Sequence, residues 1–494
     1  MTAPMNILER FSPAQDLAKA MEFLPGIFDE VLPSKGRRRQ ELRQGIRSLW
    51  EDLTSEREHR TAEYLGAPAY ASAYIRYFLP WNILRLGHLL PSLPLSLPEN
   101  PVLADLGSGP LTLPIALYIS RPDLRKRPLT FYCADKTERI LKIGRLIFES
   151  LCVRLSGSLP PWEIILLHES FGADLPRKAD LLTAANLFNE FFWKSRDPLA
   201  ERAAATAASI ARQLSERGQV FLMEPGDPRS GSFIAAIRTA LLPHGLHPQA
   251  PCPHGRPCPM PGLAKGYLHG HDNSHDRDRG GFLGERQSGQ ALRQSPRQSP
   301  QADSPYPASM VLPKPRDKYP WCHFTVSKPK APAWLQSLSD DAGLPKDKLV
   351  FSYLLSSRDA KDGAKGLDGA PAKDSTRSRD ASPESRPAHP PTLRIVSEAF
   401  SLPGYRRGRY ACSAEGYSLA AYAASAGTKP GVNAGAVNSG SDPLLSGDLV
   451  EMPPAAGSLP SPSQGRRQAH TDEGKAPRKP REMDEKSGAL VVPF

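Results

Sequence analysis

From Pro101 onward, short apolar runs alternate with segments of helical periodicity, and this rhythm constrains the fold more than any other feature of the chain. Short apolar runs that alternate with helical patterns are typical of parallel strands joined by crossover helices. The predicted strands are residues 102–106, 130–134, 163–168, 180–185 and 219–224. The sequence therefore predicts an α/β fold built on a doubly wound, Rossmann-like sheet.

A glycine loop, Asp105-Leu-Gly-Ser-Gly-Pro110, follows the first predicted strand and leads into a helix. Glycine permits a tight turn and a close approach to a ligand, and the N-terminus of a helix favours a carboxylate or phosphate. Asp135 closes the second strand, where a carboxylate can accept both ribose hydroxyls. A carboxylate beside the glycines suits the ammonium group of S-adenosylmethionine and would repel the pyrophosphate of NAD. The predicted cofactor-binding residues are Asp105, Gly107, Gly109, Asp135 and Asn186.

The chemistry that would follow cofactor binding is less evident in the sequence. Leu111 stands where the usual methyltransferase loop has a third glycine, which puts catalysis in doubt. The segment Asn186-Leu-Phe-Asn-Glu190 after the fourth strand lacks both an Asn-Pro-Pro-Tyr type of loop and a Pro-Cys pair. Glu190 could serve as a base, although a capping role is the simpler interpretation. No catalytic residue is predicted.

Six cysteines are spread over 494 residues, too few for a disulfide-framed secreted protein. Cys133 lies in an apolar strand and Cys152 in an apolar helix, so both are expected to be small core residues. A tetrathiolate site requires four cysteines, and four remain: Cys252, Cys258, Cys322 and Cys412. The Cys-x5-Cys spacing of the first pair is wider than in zinc knuckles, which leaves an iron–sulfur cluster, zinc or no metal open.

Proline makes up 52 of the 494 residues, roughly twice the usual frequency. We expect the excess to be concentrated in segments that do not fold. The ordered parts predicted around them are an N-terminal helical domain (1–95), the Rossmann-like domain (96–260), its return strands (319–357) and final strands with the fourth cysteine (392–424). Low-complexity inserts are predicted at 261–318 and 358–391, and a disordered tail at 425–494.

The charge balance is basic, with 63 Lys and Arg against 52 Asp and Glu, a formal net charge of +11. Such a balance favours an anionic partner such as RNA. The residues predicted to bind phosphates are Arg37, Arg38, Arg39, Arg125, Lys126, Arg127, Arg406, Arg407 and Arg409. No apolar run is long enough to span a bilayer, and the start of the chain has neither a signal peptide nor a presequence pattern, so we expect a cytoplasmic protein with no membrane partner.

Four stretches together make the chain recognisable: Met223-Glu-Pro-Gly-Asp-Pro-Arg, Ala250-Pro-Cys-Pro-His-Gly-Arg-Pro-Cys-Pro-Met260, Trp321-Cys-His-Phe and Leu349-Val-Phe-Ser-Tyr-Leu-Leu. They closely resemble the Rsm-type family of mitochondrial and bacterial small-ribosomal-subunit assembly proteins, the relatives of methyltransferase-like protein seventeen. The cysteine-proline block is specific to this family, whereas the glycine loop is not.

The resemblance implies a class I S-adenosylmethionine methyltransferase fold that binds the small ribosomal subunit, with a 4Fe–4S cluster on Cys252, Cys258, Cys322 and Cys412, zinc being the alternative metal. We therefore expect a methyltransferase-like protein that acts on or binds small-subunit ribosomal RNA and is monomeric off the ribosome. The alternative is a non-catalytic assembly factor that uses the fold as an RNA-binding scaffold.

Overall fold

The computed structural model describes residues 11–33, 38–54, 65, 67–191, 197–256, 258–260, 321–358, 392–402, 406–414, 416–423, 444–451 and 490–493. In this part of the chain, N-terminal helices pack on an eight-stranded sheet, and a six-stranded sheet follows in the C-terminal third. Of the two predicted inserts, 261–318 and 358–391, all residues except Arg358 lie outside the described residues.

The N-terminal helices are α1 (Leu17–Val31), α2 (Arg38–Thr54), α3 (Pro68–Ala73) and α4 (Leu79–Leu89), with a π-helical turn at Tyr74–Phe78 between the last two. Helix α4 is apolar on nearly every side and most of its residues are buried, including Trp81 at 1% exposure. A helix that is apolar all round needs partners on each face. Helix α4 packs against α1 on one side and against the first helix of the α/β unit on another.

The eight-stranded sheet carries the α/β unit. Its strands are β1 (Val102–Leu106), β2 (Leu129–Asp135), β3 (Trp162–His168), β4 (Ala179–Ala185), β5 (Leu214–Pro225), β6 (Leu246–Ala250), β7 (Phe324–Ser327) and β8 (Lys348–Arg358). The helices that follow these strands are α5 (Thr112–Ser120), α6 (Glu138–Ser156), α7 (Phe188–Phe191), α8 (Leu199–Gln213), α9 (Pro228–Leu241) and α10 (Ala333–Asp341).

The strand order is β3-β2-β1-β4-β5-β8-β6, with β7 paired to β8. Strands β1 to β5 run parallel to one another, whereas β8 runs antiparallel between β5 and β6. A parallel sheet that reverses direction at this edge is the class I methyltransferase arrangement, so the predicted fold class is confirmed. In the chain, β8 is separated from β6 by a long segment. Strand β6 was not among the strands that the sequence periodicity predicts.

The second sheet consists of β9 (Thr392–Ile395), β10 (Phe400–Leu402), β11 (Arg406–Ser413), β12 (Gly416–Ala423), β13 (Leu449–Glu451) and β14 (Leu490–Pro493). Its order is β13-β9-β11-β12-β14, and β10 pairs with β11. Both β13 and β14 fall within the segment that the sequence predicts to be a disordered tail, and in this respect the structure differs from the prediction. Short apolar segments suffice there because each adds to an existing strand edge, and Val450 is fully buried beside Leu393.

One hydrophobic core extends from the N-terminal helices through the large sheet to Cys258 and Cys412. The second sheet joins the body through backbone hydrogen bonds, since His323 N donates to Val396 O at 3.1 Å and Val396 N donates to Tyr410 O at 2.9 Å. Among the described helices, none has both the length and the apolar character needed to cross a membrane.

Candidate cofactor site and cysteine cluster

The glycine loop connects β1 to α5 at the carboxyl edge of the parallel strands. Gly107 and Gly109 take positive φ angles of 68° and 53°, which glycine adopts without strain. Gly109 N donates to Asp135 Oδ2 at 3.0 Å, and Thr137 N donates to Asp135 Oδ1 at 2.9 Å. A carboxylate has about four acceptor positions, so Asp135 keeps capacity for ribose hydroxyls. The structure thus brings the two predicted glycines and this carboxylate together.

Asp105 lies beneath the loop, with only 2% of its surface exposed. Its Oδ1 accepts a hydrogen bond of 2.7 Å from the Thr183 hydroxyl on the neighbouring strand β4. Burial raises the pKa of Asp105 to about 7, although the hydrogen bond from Thr183 acts in the opposite direction. Its assignment to the methionine ammonium stays a prediction.

Leu111 and Leu187 determine what surrounds the glycine loop. Leu111 takes the left-handed conformation, with φ of 56°, and its side chain is fully buried in the hydrophobic core. The residue that covers the loop is Leu187, because a Cβ added to Gly107 would lie 2.7 Å from Leu187 Cδ1. Sequence reasoning considered Leu111 and missed Leu187. Its position directly after Asn186, at the edge where the cofactor is expected, was the available signal.

The segment after β4 is held by Glu224 at the end of β5. Glu224 is 1% exposed and accepts hydrogen bonds from Phe188 N at 2.8 Å and Asn189 N at 3.1 Å. Asn186 has a positive φ of 57°, and its backbone N donates to Met223 O at 2.7 Å. These contacts place Asn186 at the same sheet edge as the glycine loop. The side chain of Glu190, the candidate base, lies outside the described residues.

The four candidate ligands come from three segments that are far apart in the chain. Cys252 and Cys258 lie in the loop after β6, Cys322 precedes β7, and Cys412 lies on β11. Burial raises the pKa of Cys412 well above its ordinary value, and the sulfurs of Cys258, Cys252 and Cys322 raise it further. The structure thus brings the four thiols within electrostatic range of one another. In the part of the chain that the structure describes, however, no three His, Cys, Asp or Glu side chains form a group that could hold a metal ion, so the predicted metal centre is not confirmed.

Arg238 on α9 is the buried cation beside Cys252. It is 2% exposed, its Nε donates to Cys252 Sγ at 3.0 Å, and its Nη2 donates to the carbonyl oxygen of His254 at 2.8 Å. Burial lowers the pKa of Arg238, but the sulfurs of Cys252, Cys258 and Cys412 give a net rise. The charge of Arg238 acts to lower the pKa of Cys258, but burial is the larger effect and raises that pKa to about 11.

Helix α9 also provides the space for the third cysteine. A Cβ added to Gly231, two helical turns before Arg238, would lie 2.7 Å from Trp321 Cδ1 and 3.1 Å from Cys322 O. The Ser352 hydroxyl on β8 donates to the same carbonyl oxygen at 2.7 Å. One face of α9 therefore accommodates the Trp321-Cys322 segment through a glycine and reaches Cys252 through an arginine.

A second buried arginine ties the remaining segments together. Arg394 on β9 is 5% exposed, and it is the register partner of Cys412 on β11. Its Nε donates to Pro251 O and its Nη1 donates to Gly447 O, both at 2.8 Å. Arg394 thus connects the loop that bears Cys252 to the second sheet.

The match to a known family covers the glycine loop and the first two candidate cysteines. Residues 104–267 match the family model described as mitochondrial small ribosomal subunit Rsm22. The predicted family resemblance is confirmed. The matched residues begin in β1, include the glycine loop, and end after Cys258, so the Rsm22-like segment contains two of the four candidate cysteines. No curated protein matches this chain.

Solved structures similar to the chain include three methyltransferases. An S-adenosylmethionine-dependent methyltransferase from Methanosarcina mazei has 14% identity and a TM-score of 0.19, and the match covers 26% of this chain and 55% of that one. One from Clostridium acetobutylicum has 13% identity, a TM-score of 0.20 and coverage of 39% and 59%. A methyltransferase from Pyrococcus furiosus has 12% identity, a TM-score of 0.23 and coverage of 42% and 89%.

The two remaining cysteines differ from the four candidate ligands. Within the Rsm22-like segment, Cys133 on β2 and Cys152 on α6 are fully buried in the hydrophobic core. Burial raises the pKa of Cys152 to about 12 and that of Cys133 far above its ordinary value. Burial also raises the pKa of Cys258 to about 11 and that of Cys322 well above its ordinary value, so position on β2 and α6, and not pKa, separates Cys133 and Cys152 from the candidate ligands.

Several of the basic residues predicted to bind phosphate are instead engaged within the protein. Arg125 forms an ion pair of 2.7 Å with Asp16 and donates to Tyr118 O and Ile119 O. Arg127 donates to Leu97 O and Pro98 O. Arg409 is 7% exposed and donates to Ser397 O at 2.9 Å. Lys126, by contrast, is exposed, whereas Arg37 and the side chains of Arg38, Arg39 and Arg406 lie outside the described residues.

Proposed function

We propose that this protein is a methyltransferase-fold assembly factor of the small ribosomal subunit that binds S-adenosylmethionine at the glycine loop and carries a 4Fe–4S cluster on Cys252, Cys258, Cys322 and Cys412. The observation that carries the proposal is that four thiols from three distant segments lie within electrostatic range of one another, with Arg238 Nε donating to Cys252 Sγ. The Rsm22 match supports the ribosomal role.

The thiols have hydrogen-bond donors beside them that would suit an anionic cluster. Thiolates and inorganic sulfides accept hydrogen bonds, and such bonds adjust the properties of an iron–sulfur centre. Arg238 Nη1 is buried and has no hydrogen-bond partner among the described residues, so one donor stays available beside Cys252. When bound, the cluster would supply a covalent link between the loop after β6 and the second sheet.

The cluster is tested by anaerobic purification of the full chain. We expect a brown protein with about four iron and four sulfide per chain, as a 4Fe–4S centre requires. A colourless protein with one zinc per chain would show that the bound metal is zinc and that no iron–sulfur cluster is present. A protein without either metal would remove the metal proposal.

Cofactor binding rests on Gly107, Gly109 and Asp135, which present two glycine turns and a carboxylate at the carboxyl edge of the sheet. The carboxylate would hold the ribose hydroxyls, and the loop would approach the methionine portion closely. Calorimetry with S-adenosylmethionine and its demethylated product on the metal-loaded protein tests this part. Absence of binding by both compounds would contradict it.

A second candidate function, a scaffold without catalysis, is favoured by one specific observation: Leu187 covers the loop at Gly107. A radioactive methyl-transfer assay on immature small subunits separates the two functions. Methyl label on the ribosomal RNA supports an enzyme. A chain that co-sediments with the subunits and transfers no label supports the scaffold.

Association with the small subunit is tested separately, by co-sedimentation with precursor and mature particles at rising salt. A protein that binds through phosphates loses affinity steeply as salt rises. We expect binding to small-subunit particles that weakens with salt. Equal binding to large-subunit particles would contradict the proposal.

A further inference from the structure

The most unusual group outside the glycine loop is the guanidinium of Arg238, which is among the largest fully buried side chains of the protein. It lies within hydrogen-bond distance of a sulfur, and its Nη2 also lies 3.4 Å from His254 Nδ1. His254 in turn places its Nε2 3.4 Å from Cys412 Sγ. A chain of contacts thus runs from Cys252 through Arg238 and His254 to Cys412.

Burying an arginine costs free energy unless a negative charge compensates it. No carboxylate pairs with Arg238 among the described residues, and its neighbours of acidic character are the sulfurs of Cys252, Cys258 and Cys412. The hydrogen bonds from Nε to Cys252 Sγ and from Nη2 to the carbonyl oxygen of His254 hold the guanidinium against the segment that bears the first candidate ligand.

We propose that Arg238 is a positioning residue for the cysteine cluster: it holds Cys252 in the ligating orientation and neutralises part of the charge of the four-thiolate centre. This inference rests on the proposed cluster. A fixed cation beside a cluster stabilises the reduced form more than the oxidised form, because reduction adds a negative charge. Arg238 therefore raises the reduction potential of the cluster and slows the loss of iron from it.

The test compares Arg238→Met and Arg238→Lys in the full chain after anaerobic reconstitution. The readouts are iron and sulfide per chain, the midpoint potential in a dye-mediated titration followed by electron paramagnetic resonance, and the rate of iron loss to a chelator. Arg202→Met is the matched control, since Arg202 on the neighbouring helix α8 is also buried, at 6% exposure. We expect Arg238→Met to shift the potential to more negative values and to release iron severalfold faster, and Arg238→Lys to stay near the parent protein.

An unchanged potential and release rate in Arg238→Met, with full iron content, would overturn the inference and leave the cluster in place. If Arg238→Met does not fold, Arg238→Gln is compared with Arg238→Lys in the same way. A shift of the midpoint potential in Arg238→Gln alone supports the role of the charge, and equal potentials in the two variants overturn it. A parent protein without iron would remove the proposed cluster and this inference together.

Discussion

His254 Nε2 lies 3.4 Å from Cys412 Sγ, although 158 positions separate the two residues in the chain. His254 belongs to the loop after β6 and Cys412 to β11, so this contact joins the α/β unit to the second sheet. A metal bound by cysteines from both parts would add covalent links to the same junction, and binding of a metal to the folded state alone stabilises that state.

Replacing Cys412 with alanine is expected to abolish the cluster and loosen the junction. Iron per chain should fall to near zero, and hydrogen exchange should become faster in residues 251–256 and 392–402. Cys152→Ala is the matched control, because Cys152 is also buried but lies on α6 in the hydrophobic core. That variant should keep its iron, and loss of iron in both variants would mean that general destabilisation, not ligation, explains the result.

Asp105→Asn is expected to change how stability depends on pH. The folded-state pKa of Asp105 is raised to about 7, so the native state binds a proton that the unfolded state has already lost above about pH 4. The contribution of Asp105 is therefore full at low pH and is lost as pH rises toward 7, at a cost of a few kcal/mol. The asparagine side chain of the variant would escape this loss and still accept a hydrogen bond from the Thr183 hydroxyl.

The measurement for this variant is the thermal midpoint of parent and variant at pH 5 and pH 8. We expect similar values at pH 5 and a higher midpoint for Asp105→Asn at pH 8, by about 2–4 °C for each kcal/mol. The control is Asp123→Asn, whose exposed carboxyl pairs with Arg121. A variant less stable than the parent at pH 8 would show that the ionised form of Asp105 stabilises the fold.

Leu187→Ala is expected to strengthen binding of S-adenosylmethionine. The side chain of Leu187 occupies the space above Gly107, and its removal would open that space to the methionine portion. Calorimetry should show severalfold tighter binding than in the parent protein. Leu155→Ala at the end of α6, also partly buried, should bind as the parent does. Weaker binding by Leu187→Ala alone would instead assign Leu187 a contact with the cofactor.

The adjacent pair Arg125 and Lys126 should respond differently to replacement by methionine. Arg125→Met removes an ion pair and two bonds to backbone carbonyl oxygens, and should lower the free energy of unfolding by about 1–3 kcal/mol. Lys126→Met should leave stability unchanged and weaken salt-sensitive binding to small-subunit particles. Denaturant unfolding and co-sedimentation measure the two effects. If Lys126→Met binds as tightly as the parent, this surface does not contact RNA.

The parallel strands and the glycine loop were predictable because their signals are local. Apolar runs specify β1 to β5 wherever they lie in the chain, and the turn after β1 requires glycine at Gly107 and Gly109 for reasons of backbone geometry. The grouping of Cys252, Cys258, Cys322 and Cys412 as metal ligands stays a prediction, and the structure shows that these thiols lie within electrostatic range of one another.

Other features depended on partners far away in the chain, and local patterns carry no information about such partners. Only the folded protein shows that Leu187 covers Gly107, that Arg238 meets the sulfurs and that Arg125 faces Asp16. Strands β13 and β14 were missed for the same reason, since a short apolar segment becomes a strand only when an edge is available to receive it. Periodicity along the chain determined the layers, and packing between distant segments decided which side chains meet.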